Sequence, residues 1–238
     1  MNFGPLAGVY GLMRLLHVLP VLLIGIPSVG VAQVTVVDEG SFTVTRDGRT
    51  GREDFRIVRT PSGNGVVLVA AGTAVLGTTR TITALRTDTL GAPLAYQLEG
   101  REAGDVRERV SVQVGRGRIS ARAQSPRGES AREYFLKEGI LVLDEDVVHQ
   151  YYFLALHPER STVSVVLPRR NVIAELRVLN KGDEPIEIAG SRVVARHLGF
   201  ADGAGEREIW VDALGRVLRV DAPALGLVAV RDALPATP

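Results

Sequence analysis

Three histidines, His149, His157 and His197, and a single tryptophan, Trp210, carry most of the chemical potential of this sequence outside its N-terminal run. His149 and His157 stand eight positions apart, which is not the i, i+4 spacing that lets one helix face offer two imidazoles to zinc. Joining His149 to Asp146 or Glu145 would give a fuller ligand set, but residues that close in sequence point to different sides of a helix. The spacing favours a hydrogen-bonded, structural His149 near the mouth of a cavity. His157, at the end of the same segment, is expected to meet the terminal carbonyls of a helix, where positive charge is stabilised. His197 sits beside Arg196 in a strand-like run. Nucleophilic catalysis has no visible anchor: cysteine is absent, no serine stands in G-x-S-x-G, and "GES" at 128–130 and "GSR" at 190–192 have ordinary turn composition. "GRG" at 115–117 is too short for a phosphate loop and reads as a hairpin turn. No catalytic residue, metal or cofactor is expected.

Trp210 falls in "REIWVDALGRVLRV", residues 207–220. Ile209 and Val211 alternate with Trp210 and Asp212, "DALG" has the Asp-first, Gly-last composition of a type I turn, and alternation resumes from Val217. The stretch reads as a hairpin with Asp212 as turn former, and Trp210 shares a face with Leu218. Arg107, Arg109, Arg116, Arg118 and Arg122 fall on the polar face of another hairpin. With Glu108, Glu129 and Glu133 beside them they make a solvated sheet face; the functional alternative is attraction to an anionic surface, giving transient contact with membrane headgroups.

These residues are positioned by short runs of alternating hydrophobicity, split by Gly, Asn, Asp and Pro, which is β punctuation. In "SFTVTRDGRTGREDFRIVRT" Phe42 and Val44 share a face, Asp47 and Gly48 suit a turn, and Phe55 and Ile57 resume the rhythm. Val106, Val110, Val112 and Val114 likewise oppose Arg107, Arg109, Ser111 and Gln113, whereas Ile82 and Leu85 break strict alternation, as at a bulge or strand end. The pattern predicts a mainly β fold: a single curved antiparallel sheet, a half-barrel of roughly ten to twelve strands. One segment differs, "LDEDVVHQYYFLALHP" at 143–158. Val147, Tyr151 and Leu154 recur at helical spacing, Pro158 is a stop, and Asp144 or Asp146 can cap the start. One short helix of about three turns is expected on the concave side, apolar around most of its circumference. Its β-branched and aromatic content leaves a strand as the competing assignment.

Residues 1–32 hold one charged side chain, Arg14, then "LLHVLPVLLIGI" and "PSVGVAQ", with Gly30 and Ala32 placed for cleavage before Gln33. A signal peptide is expected, since Pro20 and Pro27 interrupt a run shorter than the roughly 20 residues of a membrane span. Without cysteine, neither lipidation behind the signal nor a disulfide framework is available. Loss of Arg14 leaves 27 basic against 27 acidic side chains, a poor match to nucleic acid. The expected organisation is a signal peptide over 1–32, one β half-barrel domain over 33–232 and a disordered tail over 233–238, in a protein exported to a periplasm or beyond.

"GREDFRIVR" at 51–59, "LVLDEDVVHQYYFLA" at 141–155 and the C-terminal "REIWVDALGRVLRVDAPALGLVAVRDA" together resemble uncharacterised exported bacterial proteins of the domain-of-unknown-function kind, which look like relatives of the LolA and LolB class. What the resemblance implies is a curved antiparallel half-barrel enclosing a helix and an apolar cavity, in a periplasmic binder of a hydrophobic ligand. The chain lacks LolB's lipoprotein cysteine. The candidate cavity lining is Val148, Tyr151, Tyr152, Phe153 and Trp210, and the candidate partner is a lipid or acyl chain. The alternative is a structural or interaction module that pairs with an envelope protein, and a hydrolase or metal enzyme ranks below both.

Overall fold

The computed structural model describes residues 33–63 and 65–236. The expected signal peptide over 1–32, Asn64 of the "PSGNG" turn, and the last two residues of the expected tail lie outside the described residues.

Alternating sequence becomes strand throughout. The first half of the domain contains β1 (Thr35–Arg46), β2 (Arg49–Ser62), β3 (Gly65–Leu76), β4 (Thr79–Thr87), β5 (Pro93–Glu102), β6 (Asp105–Gly115), β7 (Arg118–Ser125) and β8 (Gly128–Phe135). After β9 (Leu141–Val142) come a 3-10 turn (Val148–Gln150) and α1 (Tyr151–Ala155). The second half continues with β10 (Thr162–Leu167), β11 (Val172–Ile188), β12 (Ser191–Asp202), β13 (Gly205–Val211), β14 (Val217–Ala222) and β15 (Leu227–Arg231). One sheet of 15 strands results, three more than the upper bound the sequence rhythm set.

Its order is β8-β7-β6-β5-β4-β3-β2-β1-β15-β14-β13-β12-β11-β10-β9. Neighbours are antiparallel except for the short parallel pair β9–β10. Each hairpin lies beside the next, and the first strand meets the last through Phe42↔Arg231 and Val44↔Ala229. The two free edges, β8 and β9, are therefore consecutive in the chain, and the segment after β9 runs inside the curl. The sheet bends round far enough that Asn171, between β10 and β11, donates a hydrogen bond to Ser130 of β8.

Strand parity divides the side chains. Phe42, Phe55, Ile57, Leu85, Tyr96, Val110, Val112, Ile119, Phe200 and Ile209 face inward and join Val148, Tyr151, Phe153 and Leu154 in one buried cluster. β4 keeps its alternation, with Thr83 and Leu85 inward and Ile82 outward; its irregular register is at Arg86/Thr87 rather than at Ile82. The helix is shorter than its spacing predicted. Residues 143–147 are extended or turn, and neither the 3-10 turn nor α1 is capped by the side chain of the residue that precedes it. The physical reason is that Asp144 and Asp146 are drawn away to arginines of the wall, described below. Every residue of the 3-10 turn and α1 is buried, so this segment is enclosed by the curved sheet as a plug.

Trp210 is on the other side of the sheet. Because Ile209 and Val211 point inward, Trp210 points outward, where it clusters with Ile188, Ala195 and Leu218. The expected pairing with Leu218 holds, through a register shift at Trp210/Val211. Asp212 is the turn former: its carboxylate accepts from the N–H groups of Leu214 and Arg216, both at 2.9 Å.

The plug and β3 meet at Gly72, where a Cβ would lie 2.6 Å from Cε1 of His149 and 3.2 Å from the Asp54 carbonyl oxygen. The imidazole is fixed by a buried partner and cannot swing aside without losing it. Gly72→Ala is expected to destabilise the domain by about 1–3 kcal/mol, read from the urea midpoint; a wild-type midpoint would mean the ring has room to move.

Candidate functional site

Inward positions of the β1–β2 hairpin turn from apolar to charged as the strands near their turn. Phe42 and Val44 lead to Arg46 on β1, and Ile57 and Phe55 lead back to Glu53, Gly51 and Arg49 on β2. With a side-chain period of two, Arg46, Arg49 and Glu53 all belong to the inner face at one end of the barrel. The register sets Arg46 directly opposite Arg49 across the turn Asp47–Gly48, whose φ angles of 48° and 76° are those of a type I′ turn. The Asp47 N–H donates to the Gly226 carbonyl at 3.0 Å, fixing the turn against the chain between β14 and β15.

Small residues on the next strands, Ala74, Thr79 and Thr81, leave space beside this wall. A recess of about 210 Å³ opens there, with Asp146 and Arg169 also in its lining. Glu53 lies deepest, at 1% exposure. Its carboxylate accepts from the backbone N–H groups of Val148 (2.9 Å) and His149 (2.8 Å), and Nδ1 of His149 lies 2.8 Å from the same group. These bonds satisfy the amides that the start of a helical segment leaves without partners, and they offset the cost of burying a carboxylate. The His149 ring stacks parallel on Phe55, with centroids 5.8 Å apart, and among the described residues its Nε2 has no hydrogen-bond partner.

Beyond the recess the three acidic residues 144–146 each meet an arginine. Asp144 accepts from Nε of Arg169 at 2.9 Å and from the Tyr96 hydroxyl at 2.7 Å. Asp146 is shared by Arg46 and Arg169, and Arg169 also reaches Glu108 of β6 at 3.2 Å. Glu145 pairs with Arg207, an inward residue of β13, and with Arg170 at 3.4 Å. A second recess of about 190 Å³ lies on this side, between Asp144–Asp146 and the turn Pro168–Arg170. Burial raises the pKa of Asp144, against the opposing pull of Arg169. Burial likewise raises Glu108, and it raises Tyr96 well above the usual phenol range with help from Asp144. For Arg169 burial acts downward, but Asp144, Asp146 and Glu108 outweigh it and hold the guanidinium charged.

The structure thus brings together Val148, Tyr151, Tyr152 and Phe153, but as side chains filling the interior rather than lining open space. Trp210 is separated from them by the thickness of the sheet, stacked at 4.2 Å on His197 and covered by Arg219 at 5.0 Å. His149 pairs with Glu53 instead of Asp146 or Glu145, which the arginines claim. His157 bonds the Leu90 carbonyl at 2.7 Å rather than the end of its own helix. Among the described residues no three His, Asp or Glu side chains are grouped to hold a metal ion.

The arginine stripe is where parity put it, on the outer face of β6 and β7, with Arg116 in the turn. It is largely neutralised: Arg107 meets Glu102 at 3.6 Å, Arg109 meets Glu99 at 3.4 Å, Arg118 meets Glu133 at 3.7 Å and Arg122 meets Glu129 at 2.9 Å. Arg109 and Arg122 border an outer groove of about 420 Å³ between β4 and β7.

Arg46, Arg49, Glu53, Arg169 and Arg207 were not singled out by sequence. For Glu53, Arg46 and Arg207 a signal existed: each is a charged residue in phase with inward apolar neighbours. Arg49 and Arg169 carry no such mark.

No protein-family model matches the chain, and no curated protein matches it. Among solved structures it is similar to a "beta-barrel-like protein of domain of unknown function DUF1849" from Brucella abortus, at 10% identity and a TM-score of 0.52, covering 87% of this chain and 99% of that one. At that identity the likeness shows the fold: a β-barrel-like domain.

Removing Arg169 would leave Asp144 buried without its cation, so Arg169→Met is expected to cost about 3–5 kcal/mol at neutral pH. Burial raises the folded-state pKa of Asp144, so its ionised form weighs against the fold above that value, and more heavily without Arg169. That penalty falls as pH drops through the raised value. The deficit of Arg169→Met against wild type should therefore shrink as pH falls through that raised value in urea titrations, and a deficit constant with pH would contradict the assignment.

Proposed function

We propose that this chain is an exported, non-catalytic binding protein of the cell envelope, working in a periplasm, that exchanges its own internal helical segment for a lipid or acyl chain. The observation that carries the reading is the plug. Val148–Gln150 and α1 form a segment apolar but for His149 and Gln150, buried at every residue, that belongs to no strand and follows the junction between the two sheet edges. The LolA and LolB-like resemblance of the sequence agrees with a ligand taken inside a curved sheet.

Magnitudes make the exchange possible only for a long chain. Withdrawing Val148, Tyr151, Tyr152, Phe153 and Leu154 forfeits about 1.5–3 kcal/mol for each large side chain, and a replacing acyl chain recovers about 0.8 kcal/mol per buried methylene. On apolar burial alone the two balance at roughly 9–19 carbons. Short chains cannot displace the plug, and long ones do so with little net gain, so affinity has to be supplied by the headgroup.

A second reading, an envelope interaction module that adds a partner strand to the sheet, is favoured by edge strand β8, which is exposed at every position but Tyr134 and ends at Phe135, 72% exposed. A pull-down that depends on β8 would support it.

Native mass spectrometry of protein purified from its source should show co-purifying lipid, and a fatty acid of about 16 carbons, unlike one of about 8, should speed amide exchange across 148–155. Ligand-free spectra with unchanged exchange would reject the carrier reading.

A further inference from the structure

Arg46 and Arg49 are the two residues flanking a two-residue turn, paired directly across the ladder. Like charges in that position repel and destabilise a sheet unless an anion lies between or beside them. Arg46 is compensated, by Asp146 and more distantly by Asp47 at 3.9 Å. Arg49 is not: among the described residues no carboxylate lies within ion-pair distance of it. It borders the 210 Å³ recess together with Arg46, Thr79 and Thr81.

The carboxylates that share this recess are already committed. Glu53 accepts from two backbone amides and faces His149. Asp146 gives one oxygen to Arg46 and the other to Arg169. Arg169 in turn is held by Asp144, Asp146 and Glu108, so it forms a wall rather than a free donor. What remains uncommitted is the guanidinium fork of Arg49, the rest of the Arg46 fork, and two threonine hydroxyls, all donors at the open end of a barrel whose turn is pinned by the Asp47–Gly226 bond.

We infer that this recess binds a phosphoryl oxyanion, with Arg49 and Arg46 as the paired cationic grips and Thr79 and Thr81 as lesser donors. Two guanidinium forks on adjacent strands can each take two oxygens. A phosphate monoester supplies three oxygens to share between them, where a carboxylate supplies two. The same chemistry comes from an amphiphile's headgroup or from free phosphate. In the first case the inference rests on the carrier reading above, because the acyl chain would run from the recess into the space the plug vacates.

The test is calorimetric titration of the full chain with inorganic phosphate, dodecyl phosphate below its micelle concentration, and acetate. Phosphate should bind in a salt-sensitive manner, acetate more weakly. Arg49→Gln, an exposed position that leaves the Asp146 pairs intact, should weaken phosphate by about tenfold or more. Arg192→Gln, an exposed arginine of β12 remote from the recess, should change nothing. Tighter binding of dodecyl phosphate than of phosphate supports the inference and assigns the oxyanion to an amphiphile. Equal binding of the two supports the recess, the 12-carbon tail recovering no more than the plug gives up. No phosphate binding, equal affinity for acetate, or an Arg49→Gln protein that binds like wild type overturns the inference. Co-purifying lipid retained by Arg49→Gln would leave the carrier reading standing without it.

Discussion

The fold depends on carrying three consecutive acidic residues, Asp144, Glu145 and Asp146, into the inside of a barrel. An ionised carboxylate does not enter such a space alone. Each is met by arginine from the wall or from the β10–β11 turn: Asp144 by Arg169, Glu145 by Arg207 and Arg170, Asp146 by Arg46 and Arg169. These pairs stand on strands far apart in sequence, so together they dictate how tightly the sheet must curl. Replacing such ion pairs by well-fitted apolar groups is often neutral or favourable for stability. Their value here is positional. They place the plug at one depth and angle, and they make the barrel mouth polar where its centre is apolar.

Much of the architecture was legible because strand parity is a strong signal. Val110, Val112 and Ile119 inward, with Arg109, Ser111 and Arg122 outward, follow directly from alternation, as do the turns at Asp47–Gly48 and Arg116–Gly117. Strand number was undercounted, since a meander with two-residue turns leaves little sequence between strands. The helix was overestimated because spacing records which residues are apolar together, and Val147 is apolar and buried without being helical. Tertiary demands on Asp144 and Asp146 overrode the capping their side chains offered locally.

The site was legible only in part. A charged residue in phase with apolar ones, as Glu53 is with Phe55 and Ile57, announces a buried partner, though not which one. That Glu53 should take His149 is a contact across 96 positions and no local pattern encodes it. Trp210 shows the converse error. A lone aromatic attracts notice as a ligand contact, yet its parity opposite Ile209 and Val211 already put it outside, where it supports the apolar cluster with Ile188, Ala195 and Leu218.

The seam between β1 and β15 sets the order in which this molecule can be built. Hairpins from β1 to β8 pair with near neighbours and can assemble while the remainder of the chain is still being made, but the outer flank of β1 must wait for a partner nearly two hundred residues downstream. Until that strand arrives β1 is a raw edge as well as β8, which remains an edge in the finished sheet. Such edges recruit other chains. The period of greatest danger for this protein is therefore late synthesis, and the handful of residues in its final strand do more to end it than their number suggests.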